Sequence, residues 1–184
     1  MRLPPLTEDQ LEPAQRAVLE DIRQGPRGGA HGLAGPFGVW VRSPAVGGPT
    51  QALGAAVRYA TRLPDNVREV AICTVGVFHR ASFEFAAHRA LAEAAGVGRD
   101  ALERLRAGQA PGFRGDEDLA YRVAHHLLHE HRLSDTLYAE AHAAFGEAAL
   151  IELVTTIGYY CLVSLTLNTF EIPLSPGMVE PFPR

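Results

Sequence analysis

The chain has 184 residues, 47% of them apolar and 21% charged, which suits one domain with a buried core and is unlike a disordered composition. Its 17 basic residues stand against 21 acidic ones for a formal charge of −4, so neither nucleic acid nor an anionic membrane is expected as the main partner. Every basic residue is an arginine, which excludes Schiff-base chemistry, a lysine-held pyridoxal cofactor and a Walker-type phosphate lysine.

Thr7-Glu8-Asp9-Gln10 reads as a helix start, with Thr7 as cap and Gln10 at the capping-box position. Leu11, Val18, Leu19 and Ile22 keep helical spacing until Gly25-Pro26 stops it. The glycine-rich run 25–36 lacks a GK[ST] ending and a preceding strand, so it reads as a mobile surface loop rather than a phosphate cradle. Ser43-Pro44 opens a helix through Val46, Leu53, Val57 and Ala60 that ends before Pro64. Asn66 is the expected cap of 67–79, and Ser82 that of 83–95, closed by Gly96. Shorter helices follow at 99–107 and 116–131; Ser134 caps 135–145, and Gly146 leads into the last helix. No alternating β-branched run with hairpin turns occurs, so the expected class is all-α.

A single domain is expected over 1–184, with its core motif at 63–97 and an N-terminal extension over 1–42. Arg62-Leu63-Pro64-Asp65 is echoed by Arg132-Leu133-Ser134-Asp135, and Glu69-Val70-Ala71 by Glu152-Leu153-Val154; two related helical halves or chance would both produce this. Cys73 and Cys161 belong to no CxxC pair, and residues 1–8 show no apolar secretory core, so a reducing cytoplasm is expected. The apolar stretch 148–170 has the length of a membrane span, but Glu152, its threonines and Asn168 favour a helix buried in protein or in a subunit interface.

Residues advance about 100° per position around a helix. On 83–95, Glu84 and His88 share a side with Ala87, Leu91 and Ala95, while Arg89 and Glu93 point the other way. Burying a carboxylate and an imidazole is costly unless they are partnered, and at i and i+4 they can partner each other. The preceding helix is apolar nearly all round, and its interior acid, Glu69, lies on the side of Cys73 and Gly76. A tight turn at His79-Arg80-Ala81 would bring Glu69 towards the Glu84–His88 pair. Two carboxylates beside one histidine form a proton-transfer constellation. A buried ionic cluster that only fixes helix register is the other reading, and a first-turn Glu69 also suits its helix N-terminus.

His125 and His129 have zinc-helix spacing without HExxH and lie opposite the apolar stripe of their helix, so a solvated face is favoured over a metal site. Phe37-Gly38-Val39-Trp40-Val41 holds the only tryptophan; it either walls a pocket over Glu84 and His88 or simply packs, and Tyr59 is a candidate for the same wall.

Arg68-Glu69-Val70-Ala71-Ile72, then His79-Arg80-Ala81-Ser82-Phe83-Glu84-Phe85-Ala86-Ala87-His88, then Ala90-Leu91-Ala92-Glu93-Ala94-Ala95-Gly96-Val97, resembles the carboxymuconolactone decarboxylase family, within the alkyl hydroperoxidase D-like superfamily. The strong resemblance covers 63–97; Gly158-Tyr159-Tyr160 and Leu167-Asn168-Thr169-Phe170-Glu171 are similar to a longer subgroup carried under the decarboxylase name. The resemblance implies an all-helical, alkyl hydroperoxidase D-like subunit assembled as a trimer or hexamer.

In the peroxidase branch a glutamate precedes a CxxC and a histidine. Laid on this chain, Glu69 and His88 match the glutamate and the histidine, but the cysteine positions fall on Ala81 and Glu84. The thiol redox cycle is therefore not expected. The decarboxylase reading needs no cofactor and implies a small carboxylated lactone or related acid as substrate. His88, protonated and held by Glu84, would be the acid, with Glu69 orienting it or carrying the proton. An arginine should bind the substrate carboxylate, and Arg58, Arg68 and Arg80 are the candidates. The competing readings are a hydroperoxide-reducing relative and a non-catalytic helical oligomer.

Overall fold

The apolar run that follows Pro64 sits at the centre of the structure, a computed structural model that describes residues 1–28 and 32–183. Those residues form eight α-helices and no strand: α1 (Pro13–Gln24), α2 (Phe37–Trp40), α3 (Pro44–Tyr59), α4 (Asp65–Phe78), α5 (Ser82–Ala94), α6 (Arg99–Arg106), α7 (Gly115–Glu130) and α8 (Asp135–Thr169). The fold is all-α. Every residue of α4 from Val67 to Gly76 is buried, as a helix apolar on all sides must be. Around it pack α5, α7 and α8.

The helix ends show how local chemistry sets the boundaries. Gln10 Oε1 accepts from Thr7 N at 3.0 Å, as the capping box requires, but the turn it closes is the short 3-10 segment Glu8–Gln10. A second box, in which Gln15 Oε1 accepts from Glu12 N at 3.1 Å, starts α1. The break falls there because Pro13 holds the preceding residue extended, with Glu12 at ψ 159°. Pro64, rather than Asn66, occupies the cap position of α4; Asn66 lies one residue inside and donates to Glu117 Oε1 at 2.9 Å, tying α4 to α7. Ser82 is likewise the first residue of α5, not its cap, and its hydroxyl donates to Glu180. Ser134 does cap α8, accepting from Leu137 N at 3.2 Å. Gly146, at φ 75° and ψ 168°, breaks α8 into two arms where a glycine's freedom is needed.

Among the described residues three apolar cores result. Val67, Ile72 and Val75 of α4 meet Leu119 and Val123 of α7, Leu153 and Ile157 of α8, and Trp40. On the other side, Val70 and Cys73 meet Phe85, Leu102, Leu105 and Phe182. Leu11, Val18, Leu19 and Ile22 pack with Val41, so the N-terminal extension is part of the packed body. After α8 the chain turns back over α5, and Phe182 is buried against Phe85 with ring centroids 5.4 Å apart. The expectation of a mobile surface loop over 25–36 falls partly on 29–31, outside the described residues.

Among the described residues, α8 is the one helix long and apolar enough to cross a membrane, and half of its apolar window is buried in the protein. Its Glu152 accepts from Arg62 N at 2.7 Å, which anchors the second arm to the turn before α4.

Helices α4 and α5 run antiparallel through a sharp turn. Arg80 takes φ 48°, and Ala81 N donates to Gly76 O at 2.9 Å. A Cβ on Gly76 would lie 3.3 Å from both N and Cβ of Phe85, so the two backbones touch there. Gly76→Val should therefore destabilise the protein by about 1–3 kcal/mol in urea unfolding; unchanged stability would mean that the helices part there without cost.

Candidate active site

The turn at Arg80 places the inner face of α4 beside that of α5. Glu69 Oε2 lies 2.6 Å from His88 Nδ1, and Glu84 Oε1 lies 3.0 Å from His88 Nε2. Glu69, Glu84 and His88 are 2%, 3% and 6% exposed respectively. The helical spacing places Glu84 and His88 together, and the hairpin adds Glu69. The Tyr160 ring meets the imidazole edge-on, with centroids 4.9 Å apart.

Burial pushes the His88 pKa down, but the Glu84 and Glu69 carboxylates outweigh it and raise the value to about 9. His88 is thus an imidazolium at neutral pH. Burial pushes the Glu69 carboxyl up, yet His88, Arg68 and Arg58 together hold it below its ordinary value. Glu69 Oε1 is 3.5 Å from Arg68 Nε.

Glu84 and His88 line a cavity of about 500 Å3, together with Arg58, Tyr59 and Trp40. Three wall candidates named from the sequence therefore share one hollow. Arg68 and Arg80 do not line it. Arg68 is bound to Asp65 at 2.8 Å and lines a neighbouring hollow of about 450 Å3, which it shares with Glu69. The Arg80 guanidinium lies 5.4 Å from the Phe182 ring centroid, at a different surface. Glu69 accordingly faces the second hollow, with Arg58, Tyr59 and Leu91 common to both.

Several wall residues escaped the sequence reading. Arg27, Gly35 and Pro36 belong to the glycine-rich run, which has no periodicity to assign a direction, yet they wall the cavity rather than merely cover the surface. Tyr159 and Tyr160 come from the largely apolar second arm of α8, where two adjacent phenols were the available signal. Ser175 and Met178 reach the cavity only because the segment after α8 is pinned by Phe182.

Two buried polar atoms on this wall have no hydrogen-bond partner: Glu84 Oε1 and Arg58 Nε. The 3.0 Å separation of Glu84 from His88 is an ion-pair distance without hydrogen-bond alignment. Neither Arg58 nor Arg27 forms an ion pair with a carboxylate among the described residues. The wall therefore carries an excess of positive charge, and the Glu84 oxygen against His88 is buried without a well-aligned hydrogen bond.

Other candidates carry less chemistry. Burial, followed by the Glu69 and Glu84 charges, pushes the Cys73 thiol well above its ordinary pKa, and Cys161 is half-buried and also raised by burial. Neither has the features of a reactive thiolate. His125 and His129 are exposed, their rings tilted against each other with centroids 4.3 Å apart, and no metal-binding group of three or more ligands occurs among the described residues.

The raised His88 pKa has a consequence for stability. A group bound more tightly to its proton when folded adds stability that is full below its unfolded pKa, near 6.5, and disappears as pH rises through about 9. The melting temperature should therefore fall between pH 6.5 and 9, and His88→Gln should lack that slope; parallel curves for the two proteins would contradict the buried imidazolium. No protein-family model matches this chain, and no curated protein matches it.

Proposed function

We propose that this protein is a cofactor-free, carboxymuconolactone decarboxylase-like enzyme that uses acid–base chemistry on a small carboxylated lactone or related acid. The observation that carries the reading is the buried Glu69–His88–Glu84 set, opening through Glu84 and His88 onto a cavity beside an unpaired Arg58. Arg58 binds the substrate carboxylate, since Arg68 is already engaged by Asp65 and Arg80 faces elsewhere. Cleavage of the bond to the carboxylate carbon releases carbon dioxide and leaves its electron pair on the ring as an enolate. A proton must then return to carbon. Both imidazole nitrogens face carboxylates, so His88 acts as the proton store and passes its Nε2 proton through Glu84, which lines the cavity beside it. Glu69 holds the other nitrogen and steadies the charge.

The outer face of the second arm of α8 supports a self-association reading. Ile151, Val154, Leu162 and Leu165 recur at helical spacing and stay exposed, Ile151 at 59% and Leu165 at 56%. Such a stripe suits burial against a second copy.

The central test is release of carbon dioxide from a panel of carboxylated lactones and β-keto acids. Glu84→Gln and His88→Gln should each lower turnover by about 100-fold or more while remaining folded. Full activity in either folded variant, or no turnover of any panel member by the native protein, would overturn the proposal. Independently, Leu162→Glu with Leu165→Glu should reduce the mass seen in sedimentation equilibrium; an unchanged mass, or a native protein that is already monomeric, would remove the α8 face as a self-association surface.

A further inference from the structure

Within the same cavity, Arg27 is a guanidinium more buried than exposed and, among the described residues, not neutralised by a carboxylate. Its Nη1 donates to the Gln51 backbone oxygen at 3.0 Å and to Gln51 Oε1 at 3.3 Å, and its Cζ lies 5.3 Å from the Phe37 ring centroid. Those contacts fix its direction and leave its net charge uncompensated. Removing an arginine from water without an anion beside it is costly, and the cost is recovered when an anion arrives.

Tyr159 of α8 stands next to it. A Cβ added to Gly54 of α3 would lie 2.0 Å from the Tyr159 hydroxyl oxygen and 2.5 Å from Arg27 Nη2. Both donor atoms are therefore pressed over the same bare backbone, and glycine is required for them to be there. Burial, only partly opposed by Arg27, pushes the Tyr159 phenol well above its ordinary pKa, so it keeps its proton and remains a donor. Trp40 packs against Tyr159 with ring centroids 6.2 Å apart, and Gln51 is 7% exposed. The pair is preorganised by four segments of the chain, three within residues 27–54 and the fourth in the second arm of α8.

We infer that Arg27 and Tyr159 together form an oxyanion site in the cavity, which binds the ligand oxygen that gains negative charge. The inference rests on the decarboxylase reading for its reaction but not for its binding chemistry. When the carboxylate leaves as carbon dioxide, the electron pair of the broken bond moves through the ring carbon to the carbonyl oxygen. That oxygen becomes an enolate held by hydrogen bonds from the guanidinium and the phenol, and the charge returns to carbon when the proton arrives from the Glu84–His88 side. Donors fixed in advance at the place where charge develops act without reorganising. Arg58 and Arg27 then have separate tasks, one on the departing carboxylate and one on the oxygen that stays.

The probe is 4-nitrophenol, whose ionised form is coloured and resembles an enolate oxygen on a ring. Binding is followed by quenching of Trp40, the only tryptophan, and by the absorbance of the ionised form. The native protein should bind the phenolate and raise its ionised fraction at a pH where the free phenol is mostly neutral. Arg27→Gln and Tyr159→Phe should each weaken phenolate binding by about tenfold or more, with unchanged circular dichroism and melting; Tyr159→Phe keeps the ring packing and removes only the donor. Equal phenolate affinity in both variants, binding of the neutral phenol alone, or no binding by the native protein would overturn the inference. Wild-type rates of carbon dioxide release in Arg27→Gln would overturn it while leaving the decarboxylase reading intact. Phenolate binding that depends on both residues, with no acid decarboxylated, would uphold the oxyanion site and remove that reading instead.

Discussion

Two carboxylates and one imidazolium share the interior between α4 and α5, and much of the molecule is arranged around that fact. None of the three is tolerable there alone, because an ion taken out of water without a partner costs several kcal/mol. Together they hold one another charged: His88 keeps its proton to about pH 9 and Glu69 stays ionised below its ordinary range. The set also fixes how the two helices meet, since a slip of either by one residue would turn a charge into the apolar core. The close crossing at Gly76 and the sharp turn at Arg80 make the 2.6 Å approach of Glu69 to His88 possible.

The same set is asymmetric in what it faces. Glu84 and His88 open onto one hollow and Glu69 onto another. A proton held at the centre is thus in contact with the cavity through Glu84, and with the second hollow through Glu69. Around the cavity the charge does not cancel: Arg58 and Arg27 lack carboxylate partners among the described residues, and Glu84 keeps one oxygen without a hydrogen bond. A wall that holds such charges without carboxylate partners is costly.

The second arm of α8 joins these features to the outside. Its inner side supplies Tyr159 and Tyr160 to the cavity, Leu153 and Ile157 to the main core, and Glu152 to the turn before α4. Its outer side is a row of exposed aliphatic residues. The helix that carries the phenols is thus exposed along one side and packed along the other.

Much of this was written locally in the chain. The all-α class, the helices over 65–78 and 82–94, the break at Gly146 and the inward side of Glu84 and His88 follow from period, caps and glycine positions, each decided within a few residues. Glu69 belongs to that legible part, because a short turn between neighbouring helices leaves few ways to pack them. Caps adjoining Pro64 and Ala81 were misplaced by a residue or two, since a proline and a buried backbone turn replaced the side-chain caps. Tertiary structure alone put Arg58, and not Arg68 or Arg80, on the cavity with Glu84 and His88, turned Arg27 inward from an aperiodic loop, set Tyr159 over Gly54, and brought Ser175 and Met178 across the cavity. Helical periodicity states which side of a segment avoids water; it says nothing about which distant segment will cover that side, and that pairing is settled only when the whole chain packs.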